Sequence, residues 1–439
     1  MLAKKLYLVA VCFLAPLTAL KLADIEPIEL FLLFSGFIFF GVLTQRFETI
    51  TIPENLGKLQ RLYLLFLLIG GFLACLAVRL PVYPPAELSF LKTPPFLSFS
   101  RLIELSLCMY GLLLTSNICR NPDLLDRACG YYIKAGVASS LFGLLSWVIF
   151  YLTGFALGGS YGDTNRIRGA FIEGGPFGVY LVSVLVVLLF RKGIRGRRFT
   201  RLELLSAAVL ILTFFLASSK AGMGVAVAVG FWALIVGRKQ TRIKRRYIFL
   251  SVVASIAIIA VAWLEGISGY VFNYEHFSES VASRPDDASL MMGRLMAVFL
   301  VPRMIEAHPI TGIGLANYSV MRNDPHYLDG LPTTNDWDLP GLGLLGYAAE
   351  LGIPATMFLI VIIWKPVRIV RSRSATTIVV VVASYQMFAH LFGTQITFFY
   401  PWLVSSFALG RSFRLKTSVT VSAPTHRRDS MNTQPVSLL

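Results

Sequence analysis

Charge is scarce in this chain. Asp, Glu, Lys and Arg make up 15% of its 439 residues, against about 25% in an ordinary soluble domain. Hydrophobic residues make up 56%, which excludes a soluble globule with a charged shell. Alternating apolar and polar strands are also lacking, which excludes an outer-membrane barrel and leaves helices to satisfy the backbone in lipid. The apolar residues fall in runs of about 16 to 25, long enough to cross a ~30 Å hydrocarbon core at ~1.5 Å per residue. Cysteines are few: Cys12, Cys75 and Cys108 lie inside apolar runs, where buried, inert thiols are expected, and Cys119 and Cys129 flank a short polar loop. No disulfide framework is implied.

The expected crossings are residues 6–21, 27–44, 62–80, 102–118, 131–154, 176–190, 202–217, 221–236, 247–264, 341–364, 375–397 and 398–411. The fold class that follows is an all-α polytopic membrane protein of about 12 transmembrane helices. The break between the last two spans rests on Pro401. The first run, Leu6–Leu20, follows Lys4 and Lys5 but has no small-residue cleavage site before Lys21, so it reads as a retained helix.

Basic residues set the orientation. Residues 191–201 carry six in eleven, 238–246 six in nine, and 365–373 four more; Arg414, Lys416, Arg427 and Arg428 follow. The positive-inside rule puts all of these, and both termini, in the cytoplasm. The net charge of +16 is then mostly a topology signal. The basic clusters are short and scattered between helices, so nucleic acid is not an expected partner.

On the opposite side, the longest segment lacks lysine. Residues 81–100 are rich in Pro and Ser, and 156–175 in Gly; the 75 residues of 266–340 have no lysine, four arginines and nine acidic residues. A long loop of this composition, expected between helices nine and ten, points to function. Within it, Ala288–Ala307 reads as an amphipathic helix lying on the membrane or the bundle. The expected organisation is one bundle, 1–414, that includes the loop, and a disordered cytoplasmic tail, 415–439. A 12-helix secondary transporter fits less well, because the halves show no echo and acids within the spans are scarce apart from Glu104 and Glu350.

Candidate chemistry lies in these outer segments. Arg166 and Arg168 precede Glu173-Gly174-Gly175-Pro176; guanidinium forks before a helix start make an anion pocket. Ordinary interfacial arginines are the plainer alternative. Lys220, in Ser218-Ser219-Lys220-Ala221-Gly222, stands on a side whose longest segment lacks lysine, although it could simply snorkel. Arg294 and Arg303 stand about 180° apart on one helix, and Arg294 is favoured for the anion. His326 is a candidate general base, with Glu173 second. Asp336 and Asp338 have the spacing of a carboxylate pair that holds a divalent metal, but solvated acids before a membrane helix are the plainer reading. The Gly312-x-Gly314 pair reads as a tight turn, not a dinucleotide fingerprint.

Taken in order, Arg-x-Arg-Gly-x-Phe-x-Glu-Gly-Gly-Pro-Phe-Gly (166–178), Ser-Ser-Lys-Ala-Gly (218–222), Gly293-Arg294, His-Pro-Ile-Thr-Gly-Ile-Gly-Leu-x-Asn-Tyr (308–318) and Ala-Glu-Leu-Gly-Ile (349–353) resemble the O-antigen polymerase and O-antigen ligase superfamily. The resemblance covers roughly residues 130–400. It implies a membrane-embedded, GT-C-like glycosyltransferase of the bacterial inner membrane, acting at the periplasmic face without metal or cofactor. The implied donor is a glycan on undecaprenyl diphosphate, bound by Arg166, Arg168 and Arg294, with Lys220 as a further candidate. The acceptor is another lipid-linked glycan for a polymerase of O-antigen or exopolysaccharide, or lipid A-core for a ligase; a chain-length regulator is a candidate partner. Where many relatives carry His-Asn about nine residues before Glu-Leu-Gly, this chain has Pro340-Gly341, which tilts the expectation toward polymerase.

Overall fold

The computed structural model describes residues 2–20, 25–43, 54–77, 83, 93–94, 96–155, 157–160, 166–196, 199–237, 294–329, 342–373, 376–392 and 394–420. Among them there is no strand, only an isolated bridge between Ser160 and Ile167. The helices are α1 (Leu2–Leu14), α2 (Pro27–Leu43), α3 (Glu54–Ala77), α4 (Phe96–Ile118), α5 (Pro122–Thr153), α6 (Gly174–Arg195), α7 (Arg201–Ala217), α8 (Lys220–Gly237), α9 (Arg294–Ala307), α10 (Tyr318–Met321), α11 (Pro325–Leu328), α12 (Leu344–Arg373), α13 (Thr377–Leu391) and α14 (Phe399–Thr420). Six of these, α3, α4, α5, α6, α8 and α12, are long and apolar enough to cross a membrane, and the chain is a multi-pass membrane protein. The expected ninth crossing, 247–264, lies outside the described residues, as do 266–293 and 330–341.

Local signals set the helix ends. Asn121 caps the backbone N–H groups of Asp123 and Leu124 at the head of α5, and Gly154 closes it in the left-handed conformation. Thr200 and Glu203 form a reciprocal capping box on α7. Several expected boundaries shift. Helix α1 stops at Leu14 rather than near 21, because Pro16 disfavours helical geometry at the residue before it. The last connection spans residues 392–398, and Pro401 sits in the first turn of α14, where a missing N–H costs nothing. Helix α14 then runs to Thr420, past the expected start of the tail at 415, since neither Gly nor Pro interrupts residues 411–420. Cys75, expected to be buried, is exposed on the flank of α3.

Helix α14 lies against α4, α13 and α12, and α6 packs on α5, α7 and α8. At their shared centre Tyr132, Phe171, Tyr180 and Tyr400 make edge and tilted ring contacts at 5.2–5.9 Å, a favoured arrangement of aromatic quadrupoles. A smaller apolar cluster, built from α9, α10 and α11, closes over Ala349 of α12. Helix α12 is not continuous: Gly352 takes φ 76°, ψ 165°. The segment 309–314 fills that break. Ile313 and Gly314 donate to Ala349 O and Glu350 O at 3.0 and 2.8 Å, and Ile353 donates to Pro309 O at 2.8 Å. Gly312 and Gly352 are both left-handed, and a Cβ at either would stand 2.4 Å or less from a carbonyl oxygen of the other segment. The two glycines are therefore required by close backbone approach.

Candidate functional site

The motif around Arg166 and the motif around Lys220, some fifty residues apart in sequence, form one structure. Ile167 donates its N–H to Leu216 O at 3.2 Å, and Arg166 Nε donates to Ala217 O at 3.4 Å. Ser219 Oγ donates to Gly175 O at 2.8 Å and accepts from Gly222 N–H at 2.9 Å. A Cβ on Gly178 would stand 2.2 Å from Ser219 Cβ, so the heads of α6 and α8 touch through a glycine. The Arg166 guanidinium lies against Gly174, beside Glu173. Arg166 is half-buried, and Lys220, at the first position of α8, is exposed. Arg168 has a different duty: its fork donates to Gly158 O at 2.8 Å and Ile172 O at 3.0 Å, folding the loop that carries Arg166.

Beside this assembly, at the same end of the bundle, is a polar cavity of about 100 Å³. The link between α1 and α2 supplies Thr18, Glu26 and Glu29, α4 supplies Arg101, α6 supplies Glu173 and Pro176, and the α13–α14 link supplies Gln395, Thr397 and Phe398. Glu173 occupies the N-cap position of α6 but its side chain caps no N–H, leaving the carboxylate exposed at the cavity wall. Glu29 accepts from Glu26 N–H at 2.8 Å, and Arg101 pairs with Glu104 at 2.6 Å. Ala19 N–H bonds to Ala170 O at 3.1 Å, tying the α1–α2 link to the Arg168 loop. The sequence reading singled out Glu173 alone among the cavity's residues. The pair Glu26 and Glu29, Arg101 and Glu173 come from three separate stretches of the chain, so no local pattern links them.

His326 and Arg294 belong to the smaller cluster. His326 is exposed on α11, with its backbone N–H held by Asp324 Oδ1 at 2.9 Å. Its neighbour Tyr327 is buried, which pushes its hydroxyl up to about 12 with Asp324 acting in the same direction, and it faces His308 Nε2 at 3.1 Å. Arg294 is the first residue of α9, and Arg303 follows on the same helix. Arg303 binds Tyr327 O at 2.7 Å, Leu328 O at 3.1 Å and the Asp329 carboxylate at 3.1 Å, so it secures α11. Among the described residues no three His, Cys, Asp or Glu side chains are grouped to hold a metal ion; Asp336 and Asp338 lie outside them.

The Arg166 assembly and the neighbouring cavity thus bring guanidinium donors and carboxylates to one end of the bundle. No curated protein matches the chain. Residues 205–360, which run from α7 through the first half of α12 and include Lys220, Arg294 and His326, match the family model described as O-antigen ligase. The match agrees with the O-antigen ligase and polymerase superfamily that the ordered motifs resemble.

Proposed function

We propose that the protein is a polymerase of surface polysaccharide, O-antigen or exopolysaccharide. It would transfer a glycan from undecaprenyl diphosphate to a lipid-linked glycan acceptor at the periplasmic face of the inner membrane. Both termini would be cytoplasmic. The observation that carries the reading is the junction of the Arg166 loop and the head of α6 with the Ala217–Lys220 turn, next to the cavity walled by Glu173. An acceptor hydroxyl oxygen attacks the anomeric carbon, the carbon–oxygen bond to the diphosphate breaks, and undecaprenyl diphosphate leaves with the bonding electrons. Arg166, Lys220 and Arg294, with Arg168 holding the loop, neutralise the charge that develops on it, in the way arginine suits phosphate. Neither metal nor cofactor is invoked. The hydroxyl proton passes to a base; Glu173 is favoured by its place on the cavity, and His326 is the second candidate.

A ligase differs only in taking lipid A-core as acceptor, and Pro340-Gly341 favours the polymerase. The transporter alternative gains nothing from the broken α12, because the chain's own segment 309–314 fills the gap that would otherwise receive cargo.

The test is polymer assembly from lipid-linked glycan in membranes with matched expression. Arg166→Ala and Arg294→Ala should each lower turnover by about 100-fold or more, and Arg→Lys should restore it only in part. Because Arg303 secures α11, Arg195→Ala at the far end of α6 is the better control. Parent-level polymer from well-expressed Arg166→Ala and Arg294→Ala would overturn the proposal.

A further inference from the structure

The upper half of α13 holds a group of buried polar atoms that the chemistry above does not use. Both ends of the Gln386 amide and His390 Nε2 have no hydrogen-bond partner, and the buried Thr394 hydroxyl has only that of Tyr400 near it. Gln386 and His390 are 0% exposed and Thr394 is 2% exposed. Residues 386 and 390 are about one turn apart and share a face. Just beyond the helix, Thr394 N–H folds back to Ala389 O at 3.1 Å. The rest of α13 is rich in valine, so apolar side chains would have suited the packing. Native interiors seldom leave even one such polar group without a partner.

The donors and acceptors are complementary to a hydroxyl. His390 Nδ1 faces the Thr394 carbonyl at 3.3 Å. A carbonyl can only accept, so Nδ1 carries the hydrogen and Nε2 offers a lone pair. Gln386 adds an amide donor and a carbonyl acceptor, and Thr394 can act as either. The group is also joined to the cavity through the chain. Thr394 precedes Gln395 and Thr397, which line it. The link they share is fixed in place: Trp402 Nε1 donates to Ile396 O at 2.8 Å, Ile396 N–H donates to Tyr347 Oη at 2.6 Å, and the Trp402 ring lies 6.0 Å from that of His390.

We propose that Gln386, His390 and Thr394 form a hydroxyl-binding seat joined to the cavity, filled by water or by a hydroxyl of the acceptor sugar. The seat holds the cavity wall in place for the acceptor. This rests on the reading of the cavity as the place where the acceptor is bound. The three are positioning residues, so their loss acts on acceptor binding and spares the donor.

The experiment uses the full-length protein in lipid nanodiscs and the variants Gln386→Leu, His390→Leu and Thr394→Val, with Thr394→Ser as the conservative change. The expected result is a KM for acceptor raised about tenfold in the apolar variants, an unchanged KM for donor, and a melting temperature equal to the parent's or higher. Thr394→Ser should match the parent. High-resolution density separates the sources: density in the seat without acceptor identifies water, and density only with acceptor glycan identifies a sugar hydroxyl. An empty seat in both states overturns the proposal. So does a parent-level acceptor KM in all three apolar variants, or an equal loss for donor and acceptor that tracks a lowered melting temperature. Arg166→Ala, run alongside, separates the two ideas. If it is inactive while the seat variants are normal, only the seat fails; if it is fully active, the glycosyl-transfer reading fails.

Discussion

The two ends of α6, roughly 32 Å apart at ~1.5 Å per residue, solve the same electrostatic problem differently. At the C-terminal end, Arg191 and Arg195 both bind Asp126 from the head of α5. The lysine and arginine there also meet the carbonyl end of the helix dipole. Cations at that end are matched to a carboxylate of the same chain. At the N-terminal end, Arg166 and Arg168 donate to backbone carbonyls, and the Glu173 carboxylate faces a cavity instead of capping its helix. One end ties its cations to a carboxylate of α5; the other uses its arginines to fold a loop and leaves Glu173 on a cavity wall.

The largest effect expected from that contrast is on turnover. Glu173→Gln should lower polymer formation by about 100-fold, in the range of a lost general base, while Asp126→Asn should leave turnover per folded molecule at the parent level. His326→Ala completes the comparison, because loss with this variant and not with Glu173→Gln would move the base to the smaller cluster. Next in size is packing. Gly178→Ala would bring a Cβ within 2.2 Å of Ser219 Cβ and should cost about 2 kcal/mol by overpacking. Gly196→Ala, at the opposite end, has open space around it and only a left-handed φ of 63° to strain, so about 1 kcal/mol is expected. Thermal unfolding in one detergent ranks the pair; the reverse order would break the comparison.

Asp126→Asn should itself cost about 1–2 kcal/mol, because two guanidinium groups lose their shared charged partner at sites about a quarter exposed or less. A melting temperature unmoved by that change would mean the paired end is not a stability device. The smallest effect is expected from Arg168→Lys. It keeps one of the two carbonyl bonds and loses the fork, a change of about 1 kcal/mol or less. The same measurement detects it, with turnover falling only as far as the loop carrying Arg166 loosens.

Much of the helical frame was legible because a 3.6-residue period and long apolar runs leave the backbone few alternatives in lipid. The head of α6 was legible too, from Gly174-Gly175-Pro176 after a charged loop. The shift of the last break was not, because Pro401 is tolerated in a first turn as readily as it ends a helix. Arg303 could be set apart from Arg294 by angle alone, but its bonds to Tyr327, Leu328 and Asp329 depend on how α11 folds back.

By itself the sequence determined the membrane class, the run of helices, the segregation of basic residues and the order of motifs, since hydropathy and charge act locally along a chain. Only the tertiary structure decided that residues 166 and 217 meet, that Gly312 must lie against the break at Gly352, and that Thr18, Arg101, Glu173 and Thr397 surround one cavity. Those groupings depend on which helix ends pack together. Such packing is chosen by side-chain and backbone fit between segments hundreds of residues apart, and that fit leaves no period or spacing in the sequence to read.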